Sequence, residues 1–144
     1  MLGVVITGHG SFASGLLQAV QQVIGPQEQC VAIDFPEGMC TDSLQQALRK
    51  ASQQCDQGDG VVFLTDLLGG SPFRQASLMA LENQNYQVIT GTNMQMVAEM
   101  MLERDGMSVT EFRDMALECG HRGLTSLWHE QQREKQSVAH DDGI

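Results

Sequence analysis

Two short stretches hold the residue types that group transfer needs. Thr7-Gly8-His9-Gly10-Ser11 sets a histidine between two glycines, and Thr65-Asp66-Leu67-Leu68-Gly69-Gly70-Ser71-Pro72-Phe73 sets a carboxylate ahead of a glycine pair and a hydroxyl. A neutral imidazole is a good nucleophile when one ring nitrogen is free and the other donates to a carboxylate. The carboxylate fixes the tautomer and stabilises the positive charge that develops. Asp66 serves His9 in this way if the two segments meet. Glycine lets another group come close to the backbone. Amides of Gly8, Gly10, Ser11, Gly69 and Gly70, with the Ser71 hydroxyl, are therefore candidates to neutralise an incoming phosphoryl group. Phosphoryl transfer needs mainly positioning and charge stabilisation. The residues point to a histidine that becomes transiently phosphorylated. Each also has a plainer account: His9 as a loop residue, Asp66 as a turn cap, the glycines as geometry.

These stretches sit where strands end. Leu2–Thr7 is a short β-branched run, and Phe12, Leu16, Ala19, Val20 and Val23 follow at helical spacing up to Gly25-Pro26. Ser11 is a natural N-cap for that helix. Gln29–Ile33 reads as a second strand; Leu44, Ala47, Leu48, Ala51 and Cys55 mark a second helix capped by Thr41 or Asp42. Val61–Leu64 is apolar at successive positions, as in a strand covered on both faces. Ser71-Pro72 reads as an N-cap and first helical residue, opening a third helix through Phe73, Ala76 and Ala80. Tyr86–Thr90 is a fourth strand. Thr90-Gly91-Thr92-Asn93 then reads as a turn and cap ahead of a helix with Met96, Val97, Met100 and Met101 in the core. Ser108 caps a fifth helix through Phe112, Met115, Ala116 and Cys119, Gly123–Trp128 is a last short strand, and a polar, frayed tail follows. Alternating strands and helices predict a single α/β domain, a doubly wound sheet of four parallel strands with flanking helices. In such sheets ligands bind beyond the carboxyl ends of the strands.

Composition narrows the partners. The 144 residues carry 18 acidic against 8 basic side chains, a net charge of −10. So few cations do not build a phosphate-tracking surface, which argues against nucleic acid and anionic membranes. No run of about 18 apolar residues is present, and no basic segment precedes the first apolar run, so no signal peptide is expected. Cys30, Cys40, Cys55 and Cys119 are widely spaced. They read as small buried hydrophobes of a reducing compartment, with no disulfide or metal framework. His121 follows Gly120 at a helix end, and His129 and His140 lie in or near the tail; all three read as structural or solvated.

The sequence resembles a known family. Gly8-His9-Gly10-Ser11-Phe12-Ala13-Ser14-Gly15-Leu16 is similar to the GHGxxAxGL motif of the IIA domains of mannose-family sugar phosphotransferase systems. Asp66 to Phe73 is similar to their D-x-x-GGSPF motif. Thr90-Gly91-Thr92-Asn93-Met94 is similar to their TGxNxPM, with Gln95 and Met96 in place of the usual Pro-Met order. The likeness runs from Met1 to about Trp128, leaving 129–144 as a tail. It implies that His9 accepts a phosphoryl group on Nε2 from phosphorylated HPr and passes it to the IIB component. It implies that Asp66 bonds His9 Nδ1 and that Ser71 lies beside the phosphoryl group. It further implies a cytoplasmic homodimer whose last strand pairs with the partner subunit, a IIC/IID permease pair downstream, and no cofactor. Arg74 stands where the family commonly has asparagine, and the chain stops at Ile144, as expected of a free-standing IIA subunit. The overall likeness leans toward the N-acetylgalactosamine or galactosamine systems.

Other readings compete. A IIA-like donor to a dihydroxyacetone kinase shares the fold and the GHG histidine, but its second motif typically lacks GGSP. A regulatory module that keeps the histidine for signalling would look the same. A dinucleotide-binding protein would use Gly8-x-Gly10-x-x-Ala13 and an Asp34 ribose ligand. Against that stand the short chain, the bulk of His9 between the two glycines, and the unexplained GGSPF loop.

Overall fold

The computed structural model describes residues 1–142. Its strands are β1 (Gly3–His9), β2 (Cys30–Phe35), β3 (Val61–Thr65) and β4 (Tyr86–Ile89). Its helices are α1 (Phe12–Ile24), α2 (Thr41–Cys55), α3 (Ser71–Glu82), α4 (Met94–Glu103), α5 (Val109–Arg122) and α6 (Leu127–Asp142). The four strands form one parallel sheet in the order β2-β1-β3-β4. β1 and β3 lie inside it, which is why their runs are apolar at successive positions. Leu2, Val4, Ile6, Val62 and Leu64 pack against α1, α4 and α5 on one face. Val5, Val61 and Phe63 pack against α2 and α3 on the other. The sheet is thus doubly wound, as the alternation predicts. Met96, Val97, Met100 and Met101 are buried, so the methionine stretch is core. No helix among the described residues is long and apolar enough to cross a membrane.

Local chemistry explains most helix starts. Ser108 and Glu111 form a reciprocal capping box at α5. Asn93 accepts the Met96 N–H at 2.9 Å and donates to the Gly120 carbonyl at 2.8 Å, so one side chain caps α4 and ties it to α5. Three expected caps differ. α2 has Cys40 at its N-cap, ahead of Thr41 and Asp42. α3 has Gly70 there, which makes Ser71 and Pro72 the first two helical residues. Ser11 stands at the N-cap of α1, but its backbone lies outside the extended region capping requires and its hydroxyl makes no cap bond. Instead Asp34 accepts from both the Ser14 N–H, at 2.9 Å, and the Ser14 hydroxyl, at 2.6 Å.

The C-terminal end departs from expectation. Gly123–Trp128 forms no strand in the single chain: residues 123–126 turn and α6 begins at Leu127. A strand exists only against a sheet edge, whereas this segment satisfies itself locally. Gly123 N–H bonds the Cys119 carbonyl, Leu124 N–H bonds that of His121, and Ser126 Oγ accepts the His129 N–H. The segment expected as a tail continues in α6; residues 143–144 and the side chain of His140 lie outside the described residues. Cys55 and Cys119 are buried as expected, and burial pushes the half-buried Cys30 thiol up to about 12. Cys40 is exposed, because it stands at the open start of α2 rather than on its inner face.

Candidate active site

β1 and β3 are neighbours, but the chain leaves them toward opposite faces of the sheet, through α1 and α3 respectively. Their carboxyl ends therefore diverge into a crevice, the usual ligand position in an open α/β sheet. His9 is the last residue of β1, and Asp66 follows the last residue of β3. His9 Nδ1 lies 2.8 Å from Asp66 Oδ2. The same oxygen accepts the His9 backbone N–H at 2.8 Å, while Oδ1 accepts the Leu67 N–H at 2.8 Å. Partial burial raises the Asp66 carboxyl, but these hydrogen bonds and the neighbouring imidazole together outweigh it and hold the group below the ordinary carboxylate value. An ionised carboxylate only accepts, so in the neutral ring it is Nδ1 that carries the proton and Nε2 that keeps the lone pair. The His9 side chain is 46% exposed and that of Asp66 15%, which leaves the imidazole open to the crevice and the carboxylate shielded.

Two glycines owe their identity to crowding. A β-carbon at Gly8 would stand 2.4 Å from Phe12 Cδ1 and 2.9 Å from Asp66 Cγ. One at Gly70 would stand 2.8 Å from His9 Cε1 and 3.5 Å from Nε2. The GGSP loop therefore abuts the imidazole, and Ser71 opens α3 directly after it. The anion-binding inventory is narrower than the sequence suggests. Gly10 N–H is spent on the Phe35 carbonyl at 2.9 Å, and Gly70 N–H on that of Leu67 at 3.1 Å. Gly69 N–H is not spent on any backbone carbonyl among the described residues, and the N–H groups of the first helical turn have no acceptor within the helix, so Gly69 N–H, Ser71 N–H, Phe73 N–H and the Ser71 hydroxyl are the donors this loop can offer.

The remaining candidates sort themselves by their bonds. Asp34 has both oxygens engaged by Ser14, which removes the ribose ligand of a dinucleotide site. Thr92 N–H bonds the Thr65 carbonyl and Asn93 caps α4, so the third stretch braces the sheet end. His121 stands in the last turn of α5. Arg74 is exposed, one turn into α3. Sequence reasoning missed Phe35, whose ring meets that of His9 edge to face with centroids 5.8 Å apart. The alternation of Val31, Ile33 and Phe35 on the α2/α3 face was the available signal.

Comparison with known proteins places this arrangement. Residues 3–117 match the family described as "PTS system fructose IIA component". The chain is 38% identical over 133 residues to the Escherichia coli K12 protein named "Putative phosphotransferase enzyme IIA component YadI", covering 92% of this chain and 91% of that one. It is 35% identical over 127 residues to the mannose-specific EIIAB component of the same organism, covering 88% of this chain and 39% of the longer relative. Among solved structures, a phosphotransferase system EIIA component from Streptococcus agalactiae superposes with a TM-score of 0.83 at 30% identity, covering 90% of this chain and 99% of that one. With the family matched across most of its length and a relative of equal extent above 30% identity, the chain belongs to the mannose-type IIA components of the sugar phosphotransferase system, a transferase component with a phosphocarrier role.

Proposed function

We propose that His9 is the phosphoryl acceptor of this carrier, taking the group from phosphorylated HPr and giving it to the IIB component in the cytoplasm. The observation that supports it most is the 2.8 Å contact between His9 Nδ1 and Asp66, which leaves Nε2 as the free nucleophile beside an open crevice. The Nε2 lone pair attacks phosphorus. The N–P bond to His9 forms as the N–P bond in phosphorylated HPr breaks, its electron pair returning to the donor nitrogen. The Nδ1 proton stays on His9, where Asp66 stabilises the imidazolium character that grows during transfer. Ser71 Oγ and the first amides of α3 receive the phosphoryl oxygens, aided by the helix dipole. Delivery to IIB runs the same step with roles exchanged, and the IIC/IID permease acts downstream. No metal or organic cofactor enters any step.

The phosphocarrier domain is assigned to residues 1–128, with 129–144 as an appendage. Leu124, Leu127 and Trp128 are exposed together near the start of α6, and a second copy of the chain, as a homodimer, would cover them. The sugar leans to N-acetylgalactosamine or galactosamine on overall sequence likeness.

The test is transfer itself. With labelled phosphoenolpyruvate, enzyme I and HPr, the protein is expected to acquire one acid-labile phosphoryl group per chain. No label on this protein, with HPr labelled in the same tube, would remove the carrier reading. A second expectation concerns the loop. Gly70→Ala forces its β-carbon against His9 Cε1, so the ring must shift. A misplaced nucleophile of this kind is expected to transfer about 10²-fold more slowly, with an unchanged circular-dichroism spectrum. A variant as fast as the parent would show that the loop yields instead of the ring.

A further inference from the structure

We propose that Phe35 is a positioning residue for phosphoryl transfer at His9, its ring holding the imidazole in the plane that keeps Nδ1 on Asp66 and Nε2 available. The inference rests on the carrier reading above and assigns a role to a residue outside the histidine and glycine motifs. One hydrogen bond at Nδ1 does not by itself fix a ring. The terminal torsion of histidine has broad, roughly two-fold wells, and the His9 side chain is 46% exposed. The Gly70 backbone abuts the ring near Cε1, and a further contact is required to hold its plane. Phe35 supplies it at 5.8 Å between centroids and 72° between planes, within the edge-to-face arrangement that aromatic pairs prefer.

The placement is built rather than incidental. The β1–β2 register sets His9 opposite Phe35. Beyond the strands, Gly10 N–H donates to the Phe35 carbonyl at 2.9 Å, which extends the pairing past the histidine. The preceding residue, Asp34, is clamped by both polar groups of Ser14. The backbone of Phe35 is thereby tied to the loop that carries His9 and to the start of α1. Its side chain, half-buried, packs against the α2/α3 core below while meeting the imidazole.

The experiment compares Phe35→Leu and Phe35→Tyr with the parent. Leucine keeps the site apolar and removes the flat wall; tyrosine restores the wall. Single-turnover labelling from phosphorylated HPr gives the saturated rate and the half-saturating concentration separately, and nitrogen NMR of the His9 ring gives its tautomer. Phe35→Leu is expected to lower the saturated rate roughly tenfold with an unchanged half-saturating concentration, and to mix the His9 tautomers. Phe35→Tyr is expected to stay within about twofold of the parent. A parent-like rate and tautomer in Phe35→Leu would overturn the proposal. So would a shift in half-saturation alone, which would make Phe35 a docking contact. If the leucine variant fails to fold by circular dichroism, Phe35→Met carries the same two readouts. Failure of the parent itself to accept label strikes the carrier reading, whereas the ring spectrum still reports whether Phe35 holds His9.

Discussion

His9→Ala is expected to accept no phosphoryl group at all, while its unfolding free energy changes by about 1 kcal/mol or less. The separation of the two effects follows from the geometry. On the carrier reading the chemistry rests on this imidazole, and among the described residues no other histidine shares the crevice: His121 ends α5 and His129 bonds Ser126 near the start of α6. The side chain is half exposed, and its removal leaves Asp66 with two of its three contacts, the N–H groups of residues 9 and 67. Asp66→Asn tests the orienting role in the same assay. The amide offers both a donor and an acceptor, so it no longer dictates which ring nitrogen is protonated, and transfer is expected to fall by roughly 10²-fold or more. The sign of the pH dependence is fixed as well. The folded carboxyl lies below its ordinary value of 3.8. What its ionised form contributes is present above that value and is lost as pH falls through the lower, folded one. Neutral buffer therefore leaves the pair intact, and acid disrupts it only after ordinary carboxylates have been protonated. Retained labelling in His9→Ala would move the acceptor to another residue and end the assignment.

Much of this site is legible in the sequence because each stretch carries its own physics. A histidine between glycines at the end of an apolar run, and an aspartate at the end of another, are local patterns. Their meeting is not local. It depends on the strand order, which sets β1 beside β3 with the chain departing to opposite faces. The motif order carries that information only through the resemblance to a family, whereas residue chemistry alone leaves Asp66 a turn cap. The crowding at Gly8 and Gly70 is equally invisible beforehand, since it comes from Phe12, Asp66 and His9 converging from three elements.

Misreadings cluster where several residues can do the same job. Ser71 and Gly70 compete for the N-cap of α3, and the chain enters the helix one residue earlier than the serine suggests. Asp34 looks like a ribose ligand because it ends a strand; in the fold it takes the place of the missing Ser11 cap by binding Ser14. The C-terminal strand fails for a different reason. Extended pairing needs an edge from outside the segment, and a single chain offers this one only its own turn and helix bonds. Phe35 is masked by turn residues, because Pro36, Glu37 and Gly38 follow it directly.

The largest loss of stability is expected at a residue that no pattern flags. Arg104 follows α4 and is only 2% exposed, and its guanidinium donates to the carbonyls of Leu2, Glu28 and Gln29. Burial lowers its pKa, and the nearby thiols of Cys30 and Cys55 are pushed upward by burial, so both stay neutral; the charge is met by carbonyl dipoles and by the carboxylates of Glu28 and Asp105. Those carbonyls precede β1 and β2, at the amino ends of the strands. Gln29 adds its own side-chain bonds there, to the carbonyls of Met1 and Cys55. Arg104→Ala takes a donor from the Leu2 and Glu28 carbonyls, while that of Gln29 keeps the Val4 N–H at 2.9 Å, and it leaves a cavity in their midst. The expected cost is about 3–5 kcal/mol, a large share of what a domain of this size possesses. Arg104→Lys is expected to recover part of it, because an ammonium replaces a planar fork with a point donor. The site sits at the opposite ends of the same strands. Phosphoryl transfer measured well below the lowered melting temperature should therefore match the parent, while urea midpoints fall. A loss of 1 kcal/mol or less would mean that water solvates the freed carbonyls as well as the guanidinium does. Slowed transfer in a fully folded variant would mean that strain passes along β1 to His9.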